Sequence, residues 1–334
     1  MIWLTWRQFR IQAWVAVVFA AVVAAALAAT GPALYDLYRS SGFADCTADC
    51  GEIARNFTAQ ATDALNTTLY VVGTGALLLL PGLVGIFWGA PMVAREVETG
   101  THRLVWNQTV SRRRWLVVKL VTVGLATVVV AVTISAVVTW WTVPLDEAGP
   151  GRMYPAVFSA RGVVPIGYAA VGFVAGVVIG MVVRRAIPAM AVTLLAVALV
   201  QAVVPFVVRE HLVTPVSATA AFDPSKIEQL GIHPDNRIDV TQGPPVRGAW
   251  VLSNTMAGPD GKEYHGPSDP VKCGRAGGPQ ECEQWLAGQN LRQEVTYIPP
   301  DKFWALQWRE FGLLAVIAVL LSVFSLWWIQ RRVA

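Results

Sequence analysis

Long apolar runs separated by short basic or polar segments set the plan of this chain. Six runs meet or approach the about 20 residues that cross a bilayer core. They are 13–29, 66–88, 116–141, 163–183, 187–208 and 311–329. Each is expected to be a helix, because a segment in lipid must satisfy its own backbone. Gly31–Pro32 is expected to stop the first span. Pro81, Pro165, Pro188 and Pro205 fall in or near spans and predict kinks. Ahead of the first run, Ile2, Trp6 and Phe9 share one helical face, with Arg7 and Arg10 off it. Residues 1–12 therefore read as an amphipathic interfacial helix entering the first span, or else as an extended start of that span with positive-inside flanks. They do not read as a secretory signal, since the stretch is long, carries two Trp and lacks a small-x-small cleavage site.

Composition agrees. The chain has 334 residues, of which 54% are hydrophobic and 14% charged, a mix that excludes an ordinary soluble globule. The fold class is an all-α integral membrane protein with six transmembrane helices. An extracytoplasmic cap, 209–310, lies between helices 5 and 6. The domain plan is 1–12, 13–208 with a cytoplasmic loop at 91–115, the cap, and 311–334 with a short tail.

Orientation follows from Lys and Arg near the span ends. With the N-terminus inside, twelve basic residues face the cytoplasm: Arg7, Arg10, Arg95, Arg103, Arg112, Arg113, Arg114, Lys119, Arg184, Arg185, Arg331 and Arg332. The short outer segments hold Arg39, Arg55, Arg152 and Arg161. Both termini are thus expected in the cytoplasm of a plasma-membrane protein. Arg184–Arg185 make a turn so short that its two helices must be antiparallel neighbours.

This topology puts all four cysteines outside. An even count in an oxidising compartment points to disulfides. Local pairs, Cys46–Cys50 and Cys273–Cys282, are the simplest of the three connectivities. Metal binding fits less well, because Cys-x3-Cys lacks zinc spacing and has no second ligand pair nearby. The cap is polar and rich in Pro and Gly, with a strand expected at 248–253 and a short helix at 280–289. The loop 141–162 carries several breakers and is expected outside.

The chemistry is sparse. No Walker A motif occurs, so the chain is not expected to hydrolyse ATP itself. No Asp, Glu, Lys, Arg or His lies deep in a proposed span, which disfavours an ion-coupled carrier. Lys119, near a span end, can snorkel. No metalloprotease motif, intramembrane Asp pair or Ser/His pair at matching depth is present. Polar side chains within spans read mostly as interhelical glue, aided by close packing at Gly73, Gly75, Gly172, Gly176 and Gly180. Gln201 is the deepest large polar group. With Phe303, Trp304 and Trp308 it is a candidate for a substrate path or gate. Interhelical bonding of Gln201 and an interfacial aromatic belt are the plainer alternatives.

The inner loop carries the remaining signal. Glu96 and Glu98 lead into Thr99–Gly100–Thr101, which reads as a helix end and a turn. A second helix through Leu104, Val105 and Trp106 is expected next. Ser111 then caps the following span, with Arg112–Arg114 at the lipid surface. The stretch is either an ordinary positive-inside loop or a docking helix whose apolar residues enter a partner's groove.

These residues resemble the corresponding loop of ABC type-2 transporter permeases. In that family an E-x-G-T-like turn precedes a T-P-V-S-R-like stretch and a span-opening Lys. Glu98, Gly100, Thr101, Thr109, Val110, Ser111, Arg112 and Lys119 match, while the family's frequent Pro is missing between Thr109 and Val110. The late order Tyr297, Pro299, Phe303, Trp304, Gln307, Trp308 is similar to permeases of this type from high-GC actinobacteria. The resemblance spans nearly the whole chain through motif order and layout.

The resemblance implies the permease subunit of an ATP-driven exporter. Two such chains would pair, as a homodimer in the simplest case. A separate cytoplasmic ABC ATPase would supply ATP and Mg chemistry, and this chain would hold no cofactor and bind no nucleic acid. Arg95, Glu96, Glu98, Gly100, Thr101, Leu104, Val105 and Trp106 would couple to the ATPase. The cargo would be amphipathic: drug-, peptide- or lipid-like. The alternative class is a non-transporting membrane sensor or assembly factor whose cap binds a ligand.

Overall fold

The structure is a computed structural model that describes residues 2–46, 50–100, 111–149, 151–233, 237–273 and 278–331. The chain divides into a helical unit, Met1–Leu212 with Trp304–Ala334, and a second unit, Val213–Phe303. Among the described residues six helical stretches are long and apolar enough to cross a membrane. They are Phe9–Ser40, Ala64–Glu98, Arg112–Ala148, Val164–Val183, Ala186–His211 and Pro300–Arg331.

The first stretch belongs to α1 (Ile2–Ser40), one continuous helix. The expected stop at Gly31–Pro32 does not occur. Pro32 removes one backbone hydrogen bond, and packing on the third span outweighs that loss. A Cβ on Gly31 would lie 2.4 Å from the Trp140 ring, so the glycine serves close approach. Tyr35 stacks on Trp140 at 5.7 Å, Trp141 Nε1 donates to Thr30 Oγ1 at 2.9 Å, and Tyr38 donates to Glu147 at 2.6 Å. After the Cys46–Cys50 disulfide and α2 (Gly51–Ala61) comes the second span. It consists of α3 (Ala64–Val84), a π-helical turn (Gly85–Gly89) and α4 (Ala90–Glu98).

The third span is α5 (Arg112–Ala148), capped by Ser111, whose hydroxyl accepts from Arg114 N at 3.3 Å. A short α6 (Pro155–Phe158) precedes α7 (Val164–Val183). Then come α8 (Ala186–Val203) and a second π-helical turn (Val204–Val208). Arg184 makes the tight turn between α7 and α8 with a left-handed backbone, φ 60°. Pro165 and Pro188 lie in the first turns of α7 and α8 rather than at kinks, where a proline's missing N–H costs little. Pro205 sits in the second π turn, and Pro81 lies four residues before the first.

In the span windows 61% of α7 but only 11% of α1 is buried. So α7 is the axle of the bundle, packed on the second span, α5 and α8, while α1 keeps a wide apolar face for lipid. Gly172, Gly176 and Gly180 form the contact stripe of α7. Added Cβ atoms there would come within 2.3 Å of Pro81 O, 2.5 Å of Gly85 O and 2.5 Å of Ala90 O. Backbones this close require residues without side chains. Gly73 packs against Val138, whereas Gly75 has open space around it, against the expectation of close packing there.

The second unit is more ordered than its composition foretells. A three-stranded antiparallel sheet runs in the order β1 (Val216–Ala221), β5 (Arg292–Ile298), β4 (Trp250–Ala257). A hairpin pairs β2 (Ile227–Ile232) with β3 (Ile238–Gln242). The expected strand and helix appear as β4 and α9 (Gly278–Ala287). Ile238, Val240, Met256, Leu286 and Leu291 pack round the Cys273–Cys282 disulfide as a small core. On its surface His233 and His265 flank Asp239, 2.8 and 3.3 Å away, and hold its carboxyl below the ordinary carboxylate range. The last span is α10 (Phe303–Arg331).

Candidate functional site

The loop between the second and third spans leaves the bundle from α4. That helix ends at Glu98 because Thr99 and Gly100 turn the chain, Gly100 with φ 72°. Left-handed backbone of this kind favours glycine. Thr101, Leu104, Val105 and Trp106 lie outside the described residues. Arg95, Glu96, Glu98 and Gly100 are described, and the two carboxylates have separate tasks.

Glu96 forms an ion pair with Lys119 of α5. Lys119 is 4% exposed, also donates to Met92 O at 3.2 Å, and lies 4.6 Å from the Trp115 ring centre. It turns inward to α4 instead of snorkelling outward. Glu98 accepts from the backbone N–H of Ala186 at 2.9 Å. That N–H opens α8 and has no partner within the helix, and the helix dipole favours a carboxylate there. The stem of the loop is therefore bolted to α5 by Glu96 and to α8 by Glu98. The N-terminal helix joins the same place. Phe9 meets Trp88 edge-on at 4.8 Å, and Gln12 Nε2 donates to Phe87 O at 3.2 Å. Arg95 is exposed.

At the opposite end of the bundle stands a polar junction that the sequence pattern did not reveal. The stretch expected as an external loop, 141–162, begins within α5, which runs to Ala148, and its Met153, Phe158, Ala160 and Arg161 are almost fully buried. Arg161 grips Asp146 through Nε at 2.6 Å and Nη2 at 3.2 Å, and its Nη1 reaches Thr74 and Ala160 O. Tyr70 donates to the same Asp146 at 2.7 Å. Beside it Arg209 grips Glu310 through Nε at 2.6 Å and Nη2 at 2.9 Å. Arg209 also donates to Pro155 O and Ser159 Oγ, while Tyr168 donates to Glu310 at 2.9 Å. Gln307 Oε1 accepts from Val163 N and Val164 N, both at 3.0 Å, and so caps α7.

These charges fall outside the apolar runs but inside the helical unit, because α5 and α10 extend past the runs that mark them. Burial costs each ion several kcal/mol, and bidentate pairing with further hydrogen bonds offsets it. Arg209, Glu310, Arg161 and Asp146 were missed for that reason. The available signal was an Arg with a carboxylate partner beside each of two aromatic-rich span ends.

Of the candidate gate residues, Gln201 donates to Leu78 O at 2.7 Å and joins α8 to α3. Phe303 is buried, while Trp304 and Trp308 are exposed, Trp308 edge-on to Phe311 at 5.8 Å. Among the described residues no group of three or more His, Cys, Asp or Glu is arranged to hold a metal.

No curated protein and no solved structure matches the chain. A family model described as ABC-2 membrane transporter related matches residues 17–209. The match runs from within the first span to near the end of the fifth, taking in the doubly anchored stem and the junction residues Tyr70, Asp146, Arg161 and Arg209 but not Gln307 or Glu310. The chain thus belongs to the ABC-2 membrane transporter-related family.

Proposed function

We propose that this chain is the permease subunit of an ATP-driven exporter, working with a separate cytoplasmic ABC ATPase and a second copy of itself. The observation that carries the reading is the double anchoring of the α4 stem, Glu96 to Lys119 and Glu98 to Ala186 N. A partner that shifts the loop 99–111 pulls at once on the second, third and fifth spans. Coupling then needs only that the ATPase bind one arrangement of these helices more tightly than another. In the loop, Leu104, Val105 and Trp106 supply the apolar contact, with Arg95, Glu96, Glu98, Gly100 and Thr101 forming and orienting its base.

The positive-inside pattern supports placing this end, and both termini, in the cytoplasm. The spans carry their charges at their ends, which suits an amphipathic cargo: drug-, peptide- or lipid-like. In this reading Gln201, Phe303, Trp304 and Trp308 border the outward path.

Leu104→Asp and Trp106→Asp are expected to weaken ATPase binding by at least about thirtyfold, the scale of a lost hot spot. Membrane insertion of the permease should be unchanged. Co-purification and stimulated ATP hydrolysis are the measurements. Normal association and stimulation in both variants would sink the docking assignment and favour a sensor that acts through its outer unit.

A further inference from the structure

Between α1, the π-helical turn, α4 and α5 lies a cavity of about 490 Å³, one side of which is the anchored stem itself. Its size falls within the range of small-ligand sites, about 300–1,000 Å³. One wall is the stripe Thr5, Phe9 and Gln12, three residues on a single face of α1. The facing wall is built by the π turn. There Phe87 and Trp88 present rings, and the Phe87 carbonyl is turned to Gln12. A π turn carries one residue more than the α-helix around it and re-aims its side chains, a device common at functional sites.

The charge in this cavity is lopsided. Glu96 and Lys119 line it but neutralise each other. Arg95 also lines it, and its guanidinium has no ion-pair partner among the described residues. Among the described residues the polar floor therefore has a net charge of one positive unit, with Gln12 and Thr99 as neutral neighbours. The upper wall opens to the lipid-facing surface at Phe87, which is 49% exposed. An occupant thus meets a cation at headgroup depth and an apolar side open to acyl chains. A soluble anion would use the first feature and waste the second.

We propose that this cavity binds the headgroup of an anionic phospholipid, with the phosphodiester on Arg95 and the glycerol and acyl stems against Phe87 and Trp88. Such a lipid bridges α1 to the α4 stem and stiffens the base of the loop. The binding claim stands whether or not the loop engages an ATPase.

The test uses the full chain purified in detergent. Phosphatidylglycerol, phosphatidylcholine and soluble glycerol phosphate are added separately, and bound lipid is read by native mass spectrometry and thermal shift. Phosphatidylglycerol should bind at least about tenfold more tightly than phosphatidylcholine, because both offer the phosphodiester but choline brings its own cation next to Arg95. Arg95→Gln should erase that preference. Val123→Trp, which fills the cavity from α5, should lower binding of both lipids. Equal binding of the two lipids, or a preference untouched by Arg95→Gln, would overturn the proposal. Glycerol phosphate binding as tightly as the whole lipid would make this an anion site and overturn it too. Should Val123→Trp fail to fold, Gln12→Trp, which fills the cavity from the opposite wall, replaces it, with the same loss expected.

Discussion

Replacing Arg209 with methionine is expected to destabilise the helical unit by about 3–5 kcal/mol, the usual cost of stranding one partner of a buried ion pair. Arg209 and Glu310 are both fully buried, and the guanidinium makes four hydrogen bonds, two of them to the carboxylate. Methionine fills much of the arginine's volume, so the loss comes from electrostatics more than from a hole. Glu310 would keep only the Tyr168 hydroxyl among the groups that now bond it. The double variant Arg209→Met with Glu310→Leu should recover most of the loss, because a dry apolar pair of similar volume leaves no uncompensated charge. Thermal unfolding of the detergent-solubilised chain distinguishes the two. A single variant as stable as the parent would mean that the junction contributes little.

The second large effect is expected at Gly176. Its missing Cβ would sit 2.5 Å from Gly85 O, 2.9 Å from Ala90 N and 3.1 Å from Gly89 Cα, all backbone atoms of the second span. Such atoms cannot rotate away, so Gly176→Val must push the two spans apart. Overpacking of this kind costs about 1–3 kcal/mol, and more where backbone must move. The separation would also strain the Glu98 cap on α8, which leans on the same crossing. Gly75→Ala is the matched control. It lies in the same bundle with nothing within 4 Å of its Cβ position, and it should be neutral or slightly stabilising. Comparable melting shifts for both substitutions would contradict the helix-crossing account.

The spans were legible because bilayer thickness leaves a strong imprint on composition. The turn at Gly100, the Ser111 cap, the tight Arg184 corner and the local disulfides were legible for a related reason: each is decided by residues close in sequence. What the sequence hid was decided across the bundle. Gly31–Pro32 reads as a stop until Trp140 is placed against it. Residues 141–162 look like an outer loop because Pro144, Gly149, Pro150, Gly151 and Pro155 interrupt them, and no local signal says that Arg161 will be buried against Asp146 or that Arg209 and Gln307 will pack on this stretch. Lys119 looks like a snorkelling lysine because Glu96 is 23 residues away. In the second unit, β1 and β5 carry mixed polar sequences whose pairing depends on a partner some 70–80 residues distant. The end that carries the 91–115 loop was the more legible of the two, since its motif residues cluster in one segment.

The side of the membrane that holds the loop decides the account. All four native cysteines are paired, so Trp106→Cys introduces the chain's only free thiol. A membrane-impermeant maleimide should leave that thiol unlabelled in intact cells and label it in inside-out vesicles, with protection when the ATPase is bound. Labelling in intact cells would put the loop on the outer face and contradict the account.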